Sequence, residues 1–371
     1  MRKNILVTGG AGFIGSHLVD ELVRRGHHVK IIDNLEPQVH SKPPDYLNSA
    51  ADFIPGDIRN EVAINKALKN VNIVIHLAAM VGVGQSMYQI QKYTDTNVSG
   101  TARLLELIAH NPQSIEKLVV ASSMSIYGEG AYRCSECGIA HPKPRTETQL
   151  ASQDWEMDCP MCGGKATPVP TTEEKPLHPT SIYAITKQLQ EEMCLCIGRA
   201  YNIPVVALRF FNTFGTRQSL SNPYTGVAAI FLSRIMNNQP PLVFEDGLQT
   251  RDFVSVYDVV QAIILAMEKP EANYEVFNVG TGQAVTIREI AETLIRLCHK
   301  DLRPIILGKY RSGDIRHCYA DISKIRTRLG YVPKIGLENG MQELISWSMT
   351  TTAEDNTYRA QEELLQRGLV K

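Results

Sequence analysis

The first third of the chain alternates two hydrophobic rhythms. Asn4–Thr8, His28–Asp33, Asp52–Pro55, Ile73–Leu77 and Lys117–Ser122 are short runs rich in β-branched and apolar residues, with the length and composition of buried strands. Between them, Ser16–Arg25, Glu61–Lys69 and Asn97–His110 repeat apolar residues at helical spacing. Strand and helix in alternation predict right-handed βαβ units, and hence a parallel sheet with helices on both faces. A further strand, Pro204–Arg209, follows a helix that begins near Ser181. From about Thr216, longer helical segments such as Val227–Met236 and Thr286–Cys298 dominate, and Val256–Lys269 and Val276–Val279 are expected to rejoin the first sheet.

The pattern therefore predicts a doubly wound α/β unit over residues 1–215, its sheet completed from parts of 250–280, and a smaller, discontinuous α/β unit over 216–350. Residues 131–175 interrupt it with a stretch poor in apolar residues and rich in Pro, Thr and Glu, which reads as an insertion. The tail, 351–371, is a charged helical segment whose polar faces predict a solvated end.

Composition adds exclusions. The 371 residues are 43% hydrophobic and carry a formal net charge of −1 with no Lys/Arg-rich run, so no footprint for nucleic acid or an anionic membrane is present. A few placed arginines still suffice for an anionic small molecule. Ile5-Leu6-Val7 after Met1-Arg2-Lys3-Asn4 is too short for a signal-peptide core, and no apolar run is long enough to span a bilayer, so a cytoplasmic protein is expected.

Thr8-Gly9-Gly10-Ala11-Gly12-Phe13-Ile14-Gly15 directly follows the first strand and opens a helix, the setting a phosphate-binding turn requires. Gly9 permits the tight turn, Gly12 lets the backbone approach a pyrophosphate, and Gly15 lets the helix lie close on the strand. The helix start then offers free amide hydrogens and a positive dipole end to the phosphates. The second strand ends at Asp33, where an acid accepts hydrogen bonds from adenosine ribose hydroxyls and repels a 2′-phosphate, which favours NAD over NADP. A ligand-free turn with an exposed strand-end acid is the alternative, and it leaves the coincidence of three glycines, strand, helix and acid unexplained.

Four runs occur in order: Thr8–Gly15, Ser122-Ser123-Met124-Ser125-Ile126-Tyr127-Gly128, Tyr183-x-x-x-Lys187, and Arg251-Asp252-Phe253-Val254. With them the sequence resembles, over nearly its whole length, the extended short-chain dehydrogenases/reductases, and among these the NAD-dependent nucleotide-sugar epimerases of the UDP-galactose 4-epimerase kind. Its paired cysteines and the segment Gln218-Ser219-Leu220-Ser221-Asn222-Pro223-Tyr224 are similar to those of the dTDP-L-rhamnose 4-epimerase branch. The resemblance implies a Rossmann-type NAD-binding unit, a nucleotide-diphosphate sugar as substrate, and a homodimer formed through Asn97–His110 and Ser181–Tyr201. It assigns adenine to Asp57 and Ile58, the cofactor backbone to Leu77, Ala78 and Ala79, and support of the catalytic helix to Asn97. Phe13, Ile14, Asn34 and Phe211 join the cofactor set. Met124, Ser125, Asn212, Arg251, Arg311 and Asp314 fall to the sugar nucleotide, the arginines suiting phosphate because guanidinium binds it bidentately.

Tyr183 and Lys187, four residues apart on one helix, share a face, so the lysine ammonium is expected near the phenol and the cofactor ribose. That charge, with the nicotinamide cation, is expected to lower the Tyr183 pKa and make it a general base. Ser123, at a strand end beside the same crevice, would hydrogen-bond the sugar oxygen. The implied reaction removes the 4-hydroxyl proton and the C4 hydride, and returns the hydride to the other face of a 4-keto sugar. Related dehydratases carry an Asp-Glu pair where this chain has Met124-Ser125, so elimination of water lacks its acid and base here. A sugar-nucleotide dehydratase or oxidoreductase is the second reading. A non-catalytic NAD sensor is the third, and it has no use for Ser123, Tyr183 and Lys187 together.

Cys134-x-x-Cys137 and Cys159-x-x-Cys162, separated by a polar stretch, have the spacing of a four-cysteine zinc ribbon, whereas Cys194, Cys196, Cys298 and Cys318 are scattered and read as packing. A site closed by four thiolates is structural, and an insert so poor in apolar residues needs such a staple. Rubredoxin-like iron is the rival metal; two disulfides or four free thiols are the alternative.

Overall fold

The structure, a computed structural model, describes residues 2–40 and 42–371. Seven strands, β1 (Asn4–Thr8), β2 (His28–Asp33), β3 (Asp52–Pro55), β4 (Ile73–His76), β5 (Lys117–Ser123), β6 (Val205–Phe210) and β7 (Val276–Val279), form one sheet. Their order is β7-β6-β5-β4-β1-β2-β3, every pairing is parallel, and the architecture is the expected Rossmann-type α/β fold. Side chains alternate across a strand, so each strand feeds two cores. Ile5, Val7, Ile75, Val119 and Leu208 face one side; Leu6, Val74, Leu118, Val120 and Ala207 face the other.

The main helices are α1 (Phe13–Arg24), α2 (Glu61–Leu68), α3 (Gly100–His110), α4 (Ile182–Ala200), α5 (Val227–Met236), α6 (Val256–Glu268), α7 (Ile287–Leu297), α8 (Leu337–Ser348) and α9 (Thr357–Gln366). The first core is covered by α1 and α6, the second by α2, α3 and α4. Ser181 starts α4 by accepting the Ala184 amide. A separate core of α5, α7 and α8 packs around Phe214, Val243 and Phe253. No helix among the described residues is long and apolar enough to cross a membrane.

Within 131–175, strands Ala131–Cys134, Gly138–Ala140 and Thr167–Val169 form a small antiparallel sheet over an apolar cluster of Tyr132, Met157 and Ala166. The tail departs from the expected solvated end. Ala360, Leu364 and Val370 are buried, and Tyr310 and Lys371 exchange two main-chain hydrogen bonds of 3.0 Å. Ala360 and Leu364 lie four apart and form one narrow buried stripe on the helix.

Candidate active site

The strand order reverses between β1 and β4, and a cleft of about 460 Å³ opens at the carboxyl ends of the strands there. Gly9, at φ +70°, would bring an added Cβ within 2.9 Å of the Ala78 backbone, and one at Gly15 would meet the Gly9 carbonyl at 2.2 Å. Neither place admits a side chain. Phe13 and Ile14 begin α1, in the first turn where amides lack partners within the helix. Asp33 is fixed at the rim by accepting the amides of Ala11 (3.1 Å) and Leu35 (2.9 Å). Arg59 and Asn34 bind the Asp57 carboxylate at 2.7 and 2.9 Å, and the Arg59 hydrogen bond holds its pKa below the usual value. All of these glycines and acids line the cleft, with Phe13, Ile14, Asn34, Ile58, Leu77, Ala78, Ala79 and Phe211.

Ser123, Met124, Ser125, Tyr183, Lys187 and Asn212 line the same cleft. The Ser123 hydroxyl accepts from the Ser125 amide (3.2 Å) and hydroxyl (2.9 Å). Tyr183 donates its amide to Ser86 Oγ at 3.0 Å and sets its ring edge-on to Tyr93, 6.5 Å between centroids. Contrary to the expectation of a lowered pKa, burial raises the Tyr183 phenol above its ordinary value, while the Ser123 hydroxyl works in the opposite sense. The Lys187 ammonium is held by groups that the motif does not name. A buried ammonium needs acceptors, and here they are the Ala121 carbonyl and Gln190 Oε1, the latter at 2.7 Å. Burial pushes the Lys187 pKa down to about 8.

Behind the lysine runs a polar relay that the motifs do not reveal. Gln190 Nε2 donates to Thr101 Oγ1 (2.8 Å), His76 Nε2 pairs with the same oxygen (2.9 Å), and His76 Nδ1 pairs with Thr8 Oγ1 (2.7 Å). Thr8 Oγ1 also accepts the Ala78 amide at 3.2 Å, so the relay joins the glycine turn to Lys187. Desolvation pushes His76 down to about 3, and it is neutral at physiological pH. Its one signal in the sequence is a histidine closing the otherwise apolar run Ile73–His76.

Four expected ligands stand outside the cleft lining. The Asn97 amide bonds Met80 N (2.7 Å), Met80 O (3.1 Å) and Thr186 Oγ1 (3.0 Å); this supports α4 and leaves nothing for a cofactor. Arg251 donates to the carbonyls of Thr250, Ile315 and Arg316 at 2.8, 2.6 and 2.9 Å. Arg311 lies over the Phe244 ring at 4.7 Å and pairs with Asp314 at 2.7 Å. Conversely, Asn212 Oδ1 and Gln218 Oε1, both of residues lining the cleft, are buried with no hydrogen-bond partner among the described residues, which marks them as acceptors for a ligand's N–H or O–H.

The thiols of Cys134, Cys137, Cys159 and Cys162 lie within 4.8 Å of one another, with Cys134 and Cys162 at 3.5 Å. None of the eight cysteines is disulfide-bonded. Four sulfurs around a zinc ion, at about 2.3 Å each, stand about 3.8 Å apart, so the donor set fits a tetrahedral thiolate site.

Residues 5–149 match the NAD dependent epimerase/dehydratase family, and residues 162–344 match GDP-mannose 4,6 dehydratase. A dTDP-L-rhamnose 4-epimerase of Burkholderia thailandensis is 35% identical over 350 residues, 93% of this chain and 94% of that protein. The chain belongs to the NAD-dependent epimerase/dehydratase family. Its fold is that of solved family members. The UDP-glucose 4-epimerase of Thermotoga maritima, determined with UDP-glucose, superposes with a TM-score of 0.76 at 32% identity, over 94% of this chain and 99% of that one. The UDP-glucuronic acid 4-epimerase of Bacillus cereus, determined with UDP-glucuronic acid and NAD, gives 0.77 at 29% identity, over 94% and 99%. In this epimerase/dehydratase family member Ser123 and Tyr183 lie in the cleft that holds the glycine turn, a hydroxyl and a phenol beside a dinucleotide-type turn.

Proposed function

We propose that the protein is a 4-epimerase of a nucleotide-diphosphate sugar, with dTDP-L-rhamnose as substrate. The observation that carries the reading is that Ser123, Tyr183 and Lys187 line one cleft with Gly9, Gly12 and Asp33. Gly9, Gly12 and Gly15 would hold NAD along the turn with its ribose hydroxyls at Asp33, and the cofactor would supply reversible hydride transfer at sugar C4. Tyr183 takes the proton from the 4-hydroxyl, and the Ser123 hydroxyl bonds the same oxygen and stabilises the phenolate. Lys187 supplies the neighbouring positive charge. Met124 and Ser125 offer no carboxylate, so the 4-keto sugar is not driven to lose water. Asn212 presents its free carbonyl to the substrate; Arg251, keeping its carbonyl partners and offering its remaining N–H groups, and Arg311, with Asp314, hold the diphosphate and nucleoside.

The Burkholderia relative and the shared Gln218–Tyr224 segment favour the rhamnose nucleotide; the likeness to the Thermotoga enzyme keeps a UDP-sugar as the second reading. A structural zinc ion at Cys134, Cys137, Cys159 and Cys162 would staple the insert; with four thiolates present, no position is left for a reacting water. Residues 1–215 form the cofactor unit and 216–350 the substrate unit, and two copies pair through α3 and α4, on which Ile185 and Leu189 are 41% and 38% exposed. The test is incubation with dTDP-L-rhamnose, UDP-glucose and UDP-galactose, following the sugar by proton NMR and NADH by absorbance. Conversion of one epimer into the other without accumulating NADH is expected. Stoichiometric NADH, or a 6-deoxy-4-keto product, would replace epimerisation by oxidation or dehydration.

A further inference from the structure

The cysteine insert meets the second unit through buried charges. Arg145 grips Glu245 with both terminal nitrogens, at 3.0 and 2.8 Å, the two side chains 1% and 4% exposed. The wholly buried Arg316 guanidinium lies between Glu156 of the insert (3.0 and 2.5 Å) and Glu245 (2.9 Å) with Asp246 (2.7 and 2.9 Å). The second Glu156 oxygen is 3.1 Å from His317 Nε2. Glu129 completes the arrangement by accepting the Arg316 amide (2.7 Å) and the Tyr132 hydroxyl (2.8 Å). The main chain of this same segment holds Arg251, through the Ile315 and Arg316 carbonyls.

We propose that the insert is a positioning element for the sugar-nucleotide half of the cleft, with Glu156 and Arg145 fixing Arg316, and Arg316 fixing Arg251. The inference rests on the reading of Arg251 as a diphosphate ligand. An insert whose apolar cluster is Tyr132, Met157 and Ala166 cannot set its own geometry, so that geometry depends on the four thiols being clamped. A buried ion network tolerates little displacement, because a partner that moves leaves an uncompensated charge. Glu156, partly exposed and on the insert side, is where a loosened ribbon first lets go. Its neighbour Trp155 sits edge-on to Tyr310, 6.4 Å between centroids, and reports on the same joint.

The experiment uses the full-length, NAD-loaded protein with dTDP and UDP as probes. Calorimetry measures their binding to wild type, Cys134→Ser and Glu156→Ala, and released NAD measures cofactor content. Trp155 emission is followed in a Trp347→Phe background, which leaves one of the two tryptophans. Wild type is expected to bind at least one nucleoside diphosphate, and both variants to bind it tenfold or more weakly with full NAD content. Trp155 emission should shift to the red in Cys134→Ser. An affinity within twofold of wild type in Glu156→Ala, or in a metal-free Cys134→Ser whose Trp155 emission has shifted, overturns the proposal. Should Cys134→Ser not fold, Glu156→Ala decides alone, since there Arg316 keeps Glu245 and Asp246. Binding by Arg251→Met as tight as wild type removes the Arg251 reading itself, a failure separate from that of the joint; absence of binding to wild type removes both.

Discussion

Tyr183 rests as a phenol, because burial outweighs the help it receives from Ser123. If it is the base, Tyr183→Phe loses the proton acceptor and leaves the glycine turn untouched; kcat should fall by about 10²- to 10⁴-fold with bound NAD unchanged, measured by NMR turnover and by cofactor release. His76 makes a prediction of the opposite kind, about stability. Its folded pKa is about 3 against an ordinary value of 6.5, so below pH 6.5 the unfolded chain takes up a proton that the fold refuses. Stability therefore falls as pH drops through this window, and this residue alone adds a slope of about 1 kcal/mol per unit between pH 6.5 and 5. Urea unfolding of His76→Gln should show a slope shallower by that amount; equal slopes would mean that the imidazole is protonated in the folded protein. Ser123, Tyr183 and the glycines were legible because each lies in a short motif whose spacing states its chemistry. The relay was not, since Gln190 and His76 meet across 114 residues of sequence and neither belongs to a motif.

Among elements, β1, β2, β3, β7 and α5 have the limits the hydrophobic pattern predicts, because buried strands and a strongly apolar helix are written as unbroken runs between polar boundaries. The helix carrying Asn97 is the instructive exception. Helical structure runs from Ile90 to His110 with a π-helical turn at Thr94–Ser99, so the pattern starting at Asn97 captured only part of it. An extra residue in a turn rotates the apolar face out of phase, and a 3.6-residue period no longer matches on both sides. The same turn carries Asn97 inward, where it reaches Met80 and Thr186. For α1, the close approach to β1 is a requirement on Gly15: a methyl group there would lie 2.2 Å from the Gly9 carbonyl, backbone against which nothing can yield. Gly15→Ala should force the helix start away from the turn, and the protein should purify with less than about a tenth of the NAD content of wild type. The capping box of Thr286 and Glu289 offers a milder check, with Thr286→Ala lowering unfolding free energy by about 1 kcal/mol.

At the scale of the molecule, long-range charge pairing joins parts that the hydrophobic pattern leaves separate. Polar composition made the tail read as a solvated end, and composition cannot show where a charge finds its partner. The tail joins distant stretches of the chain: Glu363 accepts hydrogen bonds of 3.0 Å from Tyr88 and from Tyr224, which lines the cleft. Its anchor is Arg234, whose wholly buried guanidinium pairs with Asp355 at 2.9 Å and lies over the Tyr358 ring at 4.6 Å. Asp355→Ala leaves that charge without a counter-ion inside the protein, at a cost of about 3 kcal/mol or more in urea unfolding. Two features separate this from a simple loss of contact. Arg234→Met combined with Asp355→Ala should recover most of the lost stability, because the stranded charge is gone while the apolar seats of Ala360 and Leu364 remain. Asp355→Ala alone should also free the tail, so trypsin should cut after Arg359 faster than in wild type and no faster within the sheet unit. An Asp355→Ala protein as stable and as resistant as wild type would show that Arg234 finds sufficient compensation in the Pro240 carbonyl at 2.7 Å, and that the tail is held by its apolar stripe alone.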